Sequence, residues 1–239
     1  MQTTRAAMEP ILIITRPAPS GEVFARSVIA AFGAPVPVIA APALQIVPIP
    51  YTMPDASQLI FTSARGVAQA PDGAGRTAWC VGDATAEAAR AQNYDVRSAA
   101  GDADALVDLI LSHPPADPLV HLAGRHRRGA IAARLTAAGL RCTTVETYDQ
   151  VALAVPDALR HAAQGDAPLV VPIFSPRSAQ GLRDLTFRAP LHIVAISATV
   201  AAPFRGIGAA TLLTTGHPDA DHMRDMTVAV LRSLTGAGD

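Results

Sequence analysis

Short apolar runs alternate with Ala-rich segments of helical period along the whole chain. The run ILIIT at 11–15 precedes SGEVFARSVIAAFG, which has Glu22 in its first predicted turn and Gly33 at its end. Six later runs stand in the same way before helix-like segments: QLIFT, AWCVG, PLVHLAG, PLVVPIF, HIVAIS and ATLLTT. Because these strands are apolar on both faces, the pattern predicts an α/β protein whose parallel sheets are covered by helices.

The second half of the chain repeats the first half in the same order. Phe61 and Phe174 lie 113 residues apart in similar turns, and Gly82 and Ser197 lie 115 residues apart. A repeat of this length predicts two similar units that together account for most of the chain. The matching segments are TRPAPSGEVFARSVIAAFGAPV (15–36) with LAGRHRRGAIAARLTAAGLRC (122–142), FTSARGV (61–67) with FSPRSAQ (174–180), and CVGDATAEAAR (80–90) with AISATVAAPFR (195–205).

Two extended segments separate these units. Residues 35–54 are rich in Pro, which predicts an edge strand or a linker rather than a helix. Residues 142–156 alternate polar and β-branched side chains, which is typical of a crossing strand. The two segments indicate a chain that leaves one domain, builds a second and returns to the first.

Composition and charge exclude several classes of protein. Half of the 239 residues are hydrophobic, yet no apolar run approaches the roughly 20 residues that cross a bilayer. The first residues carry an apolar stretch too short for a signal peptide, so we expect no membrane segment and a cytoplasmic protein. The net charge of −1 argues against nucleic acid as a partner. All 19 basic residues are Arg, and a chain without Lys cannot form a pyridoxal Schiff base or a Walker A motif.

The sequence also predicts neither a metal site nor a nucleotide cofactor. Cys80 and Cys142 each lie in a predicted buried strand and are expected to be buried free thiols. The seven His residues are scattered without the spacing of a helical metal site. No G-x-G-x-x-G stands at a strand-to-helix turn.

Seven short motifs in order resemble the uroporphyrinogen-III synthase family, a family of tetrapyrrole cyclases that use no cofactor. Each motif alone consists of common small residues, but together they cover nearly the whole length. One turn departs from the family pattern, because this chain has SATVA where relatives usually have GPTTA. The motifs are TRP (15–17), FTSARGV (61–67), VGDATAEAA (81–89), LAGRHRRG (122–129), ETYDQV (146–151), FSPRSA (174–179) and ISATVAA (196–202).

The resemblance implies an α/β fold of two similar doubly wound parallel-sheet domains, joined by a two-stranded linker, with the active site in the inter-domain cleft. For this chain it implies one domain from 1–40 plus 152–239 and another from 48–145. The connecting strands would be 41–47 and 146–151. The reaction implied is the cyclisation of linear hydroxymethylbilane, an octacarboxylate, to uroporphyrinogen III with loss of water and inversion of the last pyrrole ring.

The resemblance also implies the residues of the site. Tyr148 would be catalytic, donating a hydrogen bond to the departing hydroxyl, although a Tyr on a crossing strand is by default a packing residue. Gly124 precedes a run of basic residues that begins at Arg125 and ends at Arg128. Gly124 and Arg125 would bind substrate, and the run is either a solvated face or a site for carboxylates. The remaining substrate-binding candidates are Arg16, Thr62, Ser63, Arg65, Thr85, Ser175, Arg177, Ser197 and Thr199.

Each of these candidates also has a purely structural interpretation. Hydroxyls at strand-to-helix turns cap helices, and arginines in first helical turns are often solvated. The altered SATVA turn keeps open a second function, a non-catalytic two-domain module that binds an anionic small molecule. As an enzyme, the chain is expected to be a monomeric lyase that transiently contacts the upstream bilane-forming deaminase.

Overall fold

A computed structural model of the chain describes residues 8–127 and 129–236. The chain divides into two compact units, residues 1–45 with 152–239 and residues 46–151. It passes between the units in the segments 44–48 and 142–152, which are both strands. Residues 1–7 of the first predicted domain and Arg128 of the basic run lie outside the described residues.

A parallel sheet of five strands forms the centre of the first unit, in the order β11-β10-β9-β1-β2. Its three middle strands are apolar on both faces and almost wholly buried, as expected for a sheet covered on two sides. The strands are β1 (Ile11–Ile14), β2 (Val38–Ala40), β9 (Leu169–Ile173), β10 (Leu191–Ala195) and β11 (Thr211–Thr214).

Helices cover both faces of this sheet. One face packs on the long helices α1 and α9 through Phe24, Val28, Met223 and Leu231, and the other packs on the shorter helices. Helix α1 ends at Gly33, whose φ of +85° lets its N–H reach the Ile29 carbonyl oxygen at 3.0 Å. The helices are α1 (Ser20–Phe32), α6 (Asp157–Ala163), α7 (Pro176–Gln180), α8 (Ala198–Ala201) with a 3₁₀ turn at Ala202–Phe204, and α9 (Ala220–Thr235).

The second unit contains a sheet of six strands in the order β3-β8-β7-β4-β5-β6. The five strands from β8 to β6 are parallel. Strand β3 lies at the edge beside β8, and the hydrogen bonds from Ile49 to Thr147 and from Leu153 to Ala43 show that it runs antiparallel to β8. The strands are β3 (Leu44–Pro48), β4 (Gln58–Phe61), β5 (Thr77–Cys80), β6 (Asp95–Ser98), β7 (Leu119–Gly124) and β8 (Cys142–Ala152).

Helices again cover both faces of the sheet. Val67 and Ala86 bring α2 and α3 onto one face, and Leu106 and Leu135 bring α4 and α5 onto the other. The predicted fold class of doubly wound parallel sheets is confirmed by these two units. The helices are α2 (Ala64–Ala68), α3 (Asp83–Ala91), α4 (Ala103–Ser112) and α5 (Ile131–Ala137).

The two sheets share one topology. The order β11-β10-β9-β1-β2 of the first unit corresponds strand by strand to β6-β5-β4-β7-β8 of the second. The paired turns after β4 and β9, β5 and β10, and β7 and β1 are the turns that the sequence repeat matches. Each unit therefore combines strands from the first half of the chain with strands from the second.

The two cysteines are free thiols in strands of the second unit, and Cys80 is buried as expected whereas Cys142 is only partly buried. Burial raises the pKa of Cys80 to about 12 and that of Cys142 to about 11, so both stay protonated and weakly nucleophilic. No helix in the described part of the chain is long and apolar enough to cross a membrane.

Candidate functional site

Most of the predicted site residues lie at the carboxyl edge of one of the two sheets. In the second unit, the neighbouring strands β8, β7, β4 and β5 meet at such an edge, which is where ligands bind in open α/β sheets. The structure brings seven predicted residues to this edge: Thr62, Ser63, Arg65, Thr85, Gly124, Arg125 and Tyr148.

Tyr148 packs directly against Gly124 in the neighbouring strand. The register between β7 and β8 shifts by one residue at this point, so Ala123 pairs with Glu146 but Gly124 pairs with Tyr148. A Cβ atom on Gly124 would lie 2.6 Å from the Tyr148 Cε2 atom, so no larger residue fits beside the ring. Tyr148 is 5% exposed, and no described residue hydrogen-bonds its hydroxyl. The phenol therefore keeps a donor for a ligand.

Thr62 follows the last residue of β4 and contacts a buried histidine. Its Oγ1 lies 3.3 Å from the Nε2 of His121, which lies on β7 beside β4. His121 is 2% exposed, and burial together with the positive charge of Arg127 lowers its pKa to about 4. The imidazole is therefore neutral at neutral pH.

The other two hydroxyl side chains at this edge belong to helices: one caps α2 and the other lies within α3. Ser63 is the N-cap of α2 and accepts a hydrogen bond from the Arg65 N–H at 3.2 Å. Thr85 is buried inside α3, whose N-cap is Gly82. Ser63 therefore caps a helix, which is the structural role that the sequence leaves open. Its own hydroxyl proton stays available for donation to a ligand.

Two acidic residues balance the basic run that follows β7. Arg125 contacts Asp149 at 2.7 Å and Glu146 at 3.3 Å. Arg127 contacts Glu146 at 2.9 Å. The hydrogen bond from Arg127, followed by that from Arg125, holds the pKa of Glu146 below its usual range. The sequence leaves this run open as a solvated face or a site for carboxylates, and the structure shows that Arg125 and Arg127 are paired with the acids on either side of Tyr148.

A depression of about 470 Å³ lies beside this cluster, between β7, β8 and the start of α5. Its polar lining combines a buried imidazole with two guanidinium groups and a carboxylate. The residues that line it are His121, Arg125, Arg127, Ala130, Ile131, Ala132, Ala133, Thr144 and Glu146.

The first unit presents a similar edge at the ends of β1, β9 and β10. Arg16 follows β1, and its guanidinium lies 4.2 Å from the centre of the Phe174 ring. Ser175 is the N-cap of α7, and its hydroxyl lies 2.9 Å from that of Ser178. Arg177 lies in α7 and lines a separate cavity of about 370 Å³. The structure thus places Arg16 and Ser175 after neighbouring strands, whereas Arg177 lies within α7 and lines a different cavity.

The altered turn after β10 contains the last two candidates. Ser197 is the N-cap of α8 and accepts from the Val200 N–H at 3.4 Å. Thr199 lies within α8, which is only four residues long, and is exposed. Ser197 therefore works as a helix cap.

A family model described as uroporphyrinogen-III synthase HemD matches residues 27–225, more than four fifths of the chain. The chain belongs to the uroporphyrinogen-III synthase family. Two solved structures of this family are similar to it in fold. The uroporphyrinogen-III synthetase of Helicobacter pylori 26695 has a TM-score of 0.65 at 12% identity, over 93% of this chain and 100% of that one. A mutant uroporphyrinogen III synthase of the extremely thermophilic bacterium Thermus thermophilus has a TM-score of 0.51 at 12% identity, over 94% of this chain and 99% of that one.

The resemblance that the motifs indicate is confirmed by this match. Identities of 12% show a shared fold, and the function rests on the family model. A comparison with curated proteins gave no match.

Sequence reasoning missed two features of this uroporphyrinogen-III synthase fold. Glu146 and Asp149 stand in the ETYDQ motif, but their pairing with Arg125 and Arg127, which follow β7, could not be predicted without the register of β7 and β8. His121 had a readable signal, because a lone polar residue in the apolar run PLVHLAG needs a hydrogen-bond partner once it is buried.

Proposed function

We propose that this chain closes hydroxymethylbilane to uroporphyrinogen III with loss of water and inversion of the last pyrrole ring. The match of the family model to residues 27–225 is the observation that carries this proposal. The reaction makes the enzyme a lyase of tetrapyrrole and heme biosynthesis. We expect it to act in the cytoplasm as a monomer, without a cofactor, and to receive its substrate through transient contact with the bilane-forming deaminase.

Hydroxyls and arginines at the strand ends would bind the substrate carboxylates. Ser63 and Ser197 accept hydrogen bonds from their own helices, and each retains a hydroxyl proton that can be donated to an anion. Arg16 and Arg65 are only partly exposed, so less side-chain entropy is lost when they bind a carboxylate than at a fully exposed site. The same assignment extends to Thr62, Thr85, Gly124, Ser175, Arg177 and Thr199.

Arg125 would bind a carboxylate by exchanging partners. Its side chain is 53% exposed, and its present partners are Asp149 and Glu146. An arriving carboxylate would compete with these two acids, so the cluster favours a polyanion that brings several carboxylates at once. Glu146 and Asp149 would then lower affinity for simple anions.

Tyr148 would assist the loss of hydroxide from the hydroxymethyl end of the substrate. The phenol donates a hydrogen bond to the departing oxygen as the carbon–oxygen bond breaks. Packing against Gly124 holds the ring in one place, so the donor is oriented before the substrate arrives.

Freshly prepared hydroxymethylbilane supplied to the protein tests the function. Oxidation of the products and separation of the porphyrin isomers should give isomer III, formed faster than the spontaneous closure to isomer I. Production of isomer I alone at the spontaneous rate would contradict the proposal. Tight binding of the bilane with no isomer III would support the alternative, a non-catalytic module that binds an anionic small molecule.

A further inference from the structure

His121 is a buried polar side chain in an otherwise apolar strand, and the proposed reaction does not use it. It is 2% exposed on β7, between Val120 and Leu122 in sequence. Burying an imidazole disfavours the folded state unless the ring finds hydrogen-bond partners. The partner that the structure provides is the Thr62 hydroxyl, 3.3 Å from Nε2.

The position of this pair connects it to the site edge. Thr62 is the first residue after β4, and His121 pairs with Ile60 of β4 two residues earlier. The imidazole therefore lies beneath the edge while the hydroxyl lies at it. A rotation of the Thr62 side chain away from its present orientation would break the contact with the ring.

The direction of the hydrogen bond follows from the charge of the ligand. A carboxylate can only accept hydrogen bonds, so Thr62 must donate its single proton to a bound carboxylate. The Thr62 oxygen then accepts from the ring, which requires the proton of the neutral imidazole on Nε2. In the opposite tautomer the ring proton lies on Nδ1, and Thr62 would donate its single proton to Nε2. The lone pairs of the Thr62 oxygen would then face the anion.

We propose that His121 is a positioning residue, whose Nε2–H donates to Thr62 Oγ1 and fixes the Thr62 hydroxyl as a donor to a substrate carboxylate. The proposal rests on the proposed function for the identity of the anion. The charged groups beside the ring are Arg127, from the turn after β7, and Glu146, from β8, and these two form an ion pair with each other. Arg125, which also lines the depression beside the ring, pairs with Glu146 as well.

Four variants measured for isomer III formation test the proposal. Thr62→Val and His121→Phe should each raise KM about tenfold with little change in kcat, since one hydrogen bond to a charged group is lost. The double variant should be no worse than either single variant, because His121 acts through Thr62. His121→Gln should recover most of the loss, since its amide nitrogen can donate in place of Nε2.

The chain offers a matched control in the first unit. His192 is 8% exposed, and its Nδ1 lies 3.1 Å from the Thr211 hydroxyl. This pair lies at the beginning of β10 and β11. The candidate residues of the first unit follow the other, carboxyl ends of its strands. His192→Phe should leave both KM and kcat of the folded protein unchanged.

Wild-type KM in His121→Phe, or a loss in the double variant equal to the product of the two single losses, would overturn the proposal. Nuclear magnetic resonance of ring nitrogens labelled with ¹⁵N gives a test that needs no activity. At pH 7 the His121 ring should be neutral with its proton on Nε2, and Thr62→Val should shift the Nε2 signal. A proton on Nδ1 would overturn the inference even in an active enzyme. Absence of isomer III together with the expected tautomer would overturn the proposed function and the carboxylate role of Thr62.

Discussion

At the scale of single residues, the contact between Gly124 and Tyr148 decides where the phenol lies. The ring occupies the space that a Gly124 side chain would need, because a Cβ atom there would lie 2.6 Å from Cε2 and 2.7 Å from Cζ. The sequence predicts both residues as site residues from the family motifs, but not their contact. That contact depends on the one-residue shift in register between β7 and β8.

Removal of the Tyr148 hydroxyl tests its role in catalysis. Tyr148→Phe keeps the buried ring and loses only the donor, so the rate of isomer III formation should fall about 100-fold without reaching zero. KM should change little, since substrate binding and orientation survive. Single-turnover kinetics with fresh bilane measures the effect. An unchanged rate would remove the catalytic assignment while leaving the function intact.

Gly124→Ala should act through the Tyr148 ring. The added methyl group must displace the ring, at a cost of about 1 to 3 kcal/mol in stability, and should reduce the rate of isomer III formation. In a Tyr148→Phe background the same change should cause little further loss of rate, because the donor is already absent. Gly82→Ala is the control, since a Cβ there would meet nothing closer than 3.7 Å. Equal losses of rate in both backgrounds would contradict a role through Tyr148.

At the scale of elements, ion pairs connect the turn after β7 with the acidic residues of β8. The alternation of apolar runs and helical segments was sufficient to predict the strands, because burial on both faces requires continuous apolar residues. The pairing of Arg125 and Arg127 with the acids of β8 was not predictable in the same way. It depends on which side chains of two adjacent strands lie level with each other, and a shift of one residue changes every pair.

The ion pairs of Glu146 give the second unit a component of acid sensitivity. The pKa of Glu146 is lowered by the hydrogen bond from Arg127 and then by that from Arg125. The carboxylate therefore contributes stability above its ordinary pKa, near 4.5, and this contribution is lost as the pH falls through the lowered value. Glu146→Gln should lower the free energy of unfolding at pH 7 and flatten its fall below about pH 4.5. An equal acid slope in variant and wild type would contradict this account.

His121 should produce a separate loss of stability at a higher pH. Its pKa is lowered from 6.5 to about 4 by burial and by Arg127, so the unfolded chain takes up a proton in this window while the folded chain does not. The free energy of unfolding should fall by at most about 3 kcal/mol between pH 6.5 and pH 4. His121→Gln should remove this component. Urea unfolding followed by the fluorescence of Trp79, the single tryptophan and a buried residue of the second unit, measures it. The same fall in the variant would contradict the assignment.

At the scale of the whole molecule, each unit is built from both halves of the sequence repeat. The first unit takes β1 and β2 from the first half and β9 to β11 from the second, while the second unit takes β4 to β6 and then β7 and β8. The repeat was visible in the sequence through matching turns such as those at Phe61 and Phe174. The exchange of strands between the halves was suggested by the two extended connectors, and its details required the strand order.

This arrangement predicts different behaviour for fragments of the chain. Residues 44–153 form a continuous segment that contains all six strands of the second sheet and both of its cores. We expect this fragment to fold alone and to unfold cooperatively in urea, with Trp79 fluorescence as the probe. Residues 152–239 lack β1 and β2 and should not fold alone. A fragment 44–153 without a cooperative transition would contradict the division into units.

The isomer of the product distinguishes catalysis from spontaneous ring closure. Fresh hydroxymethylbilane should be converted in the presence of rising amounts of the protein, and the porphyrins oxidised and separated. The fraction of isomer III should rise with the amount of protein until isomer I is a minor product. If isomer I remains the product at every amount of folded protein, the proposed synthase function is wrong.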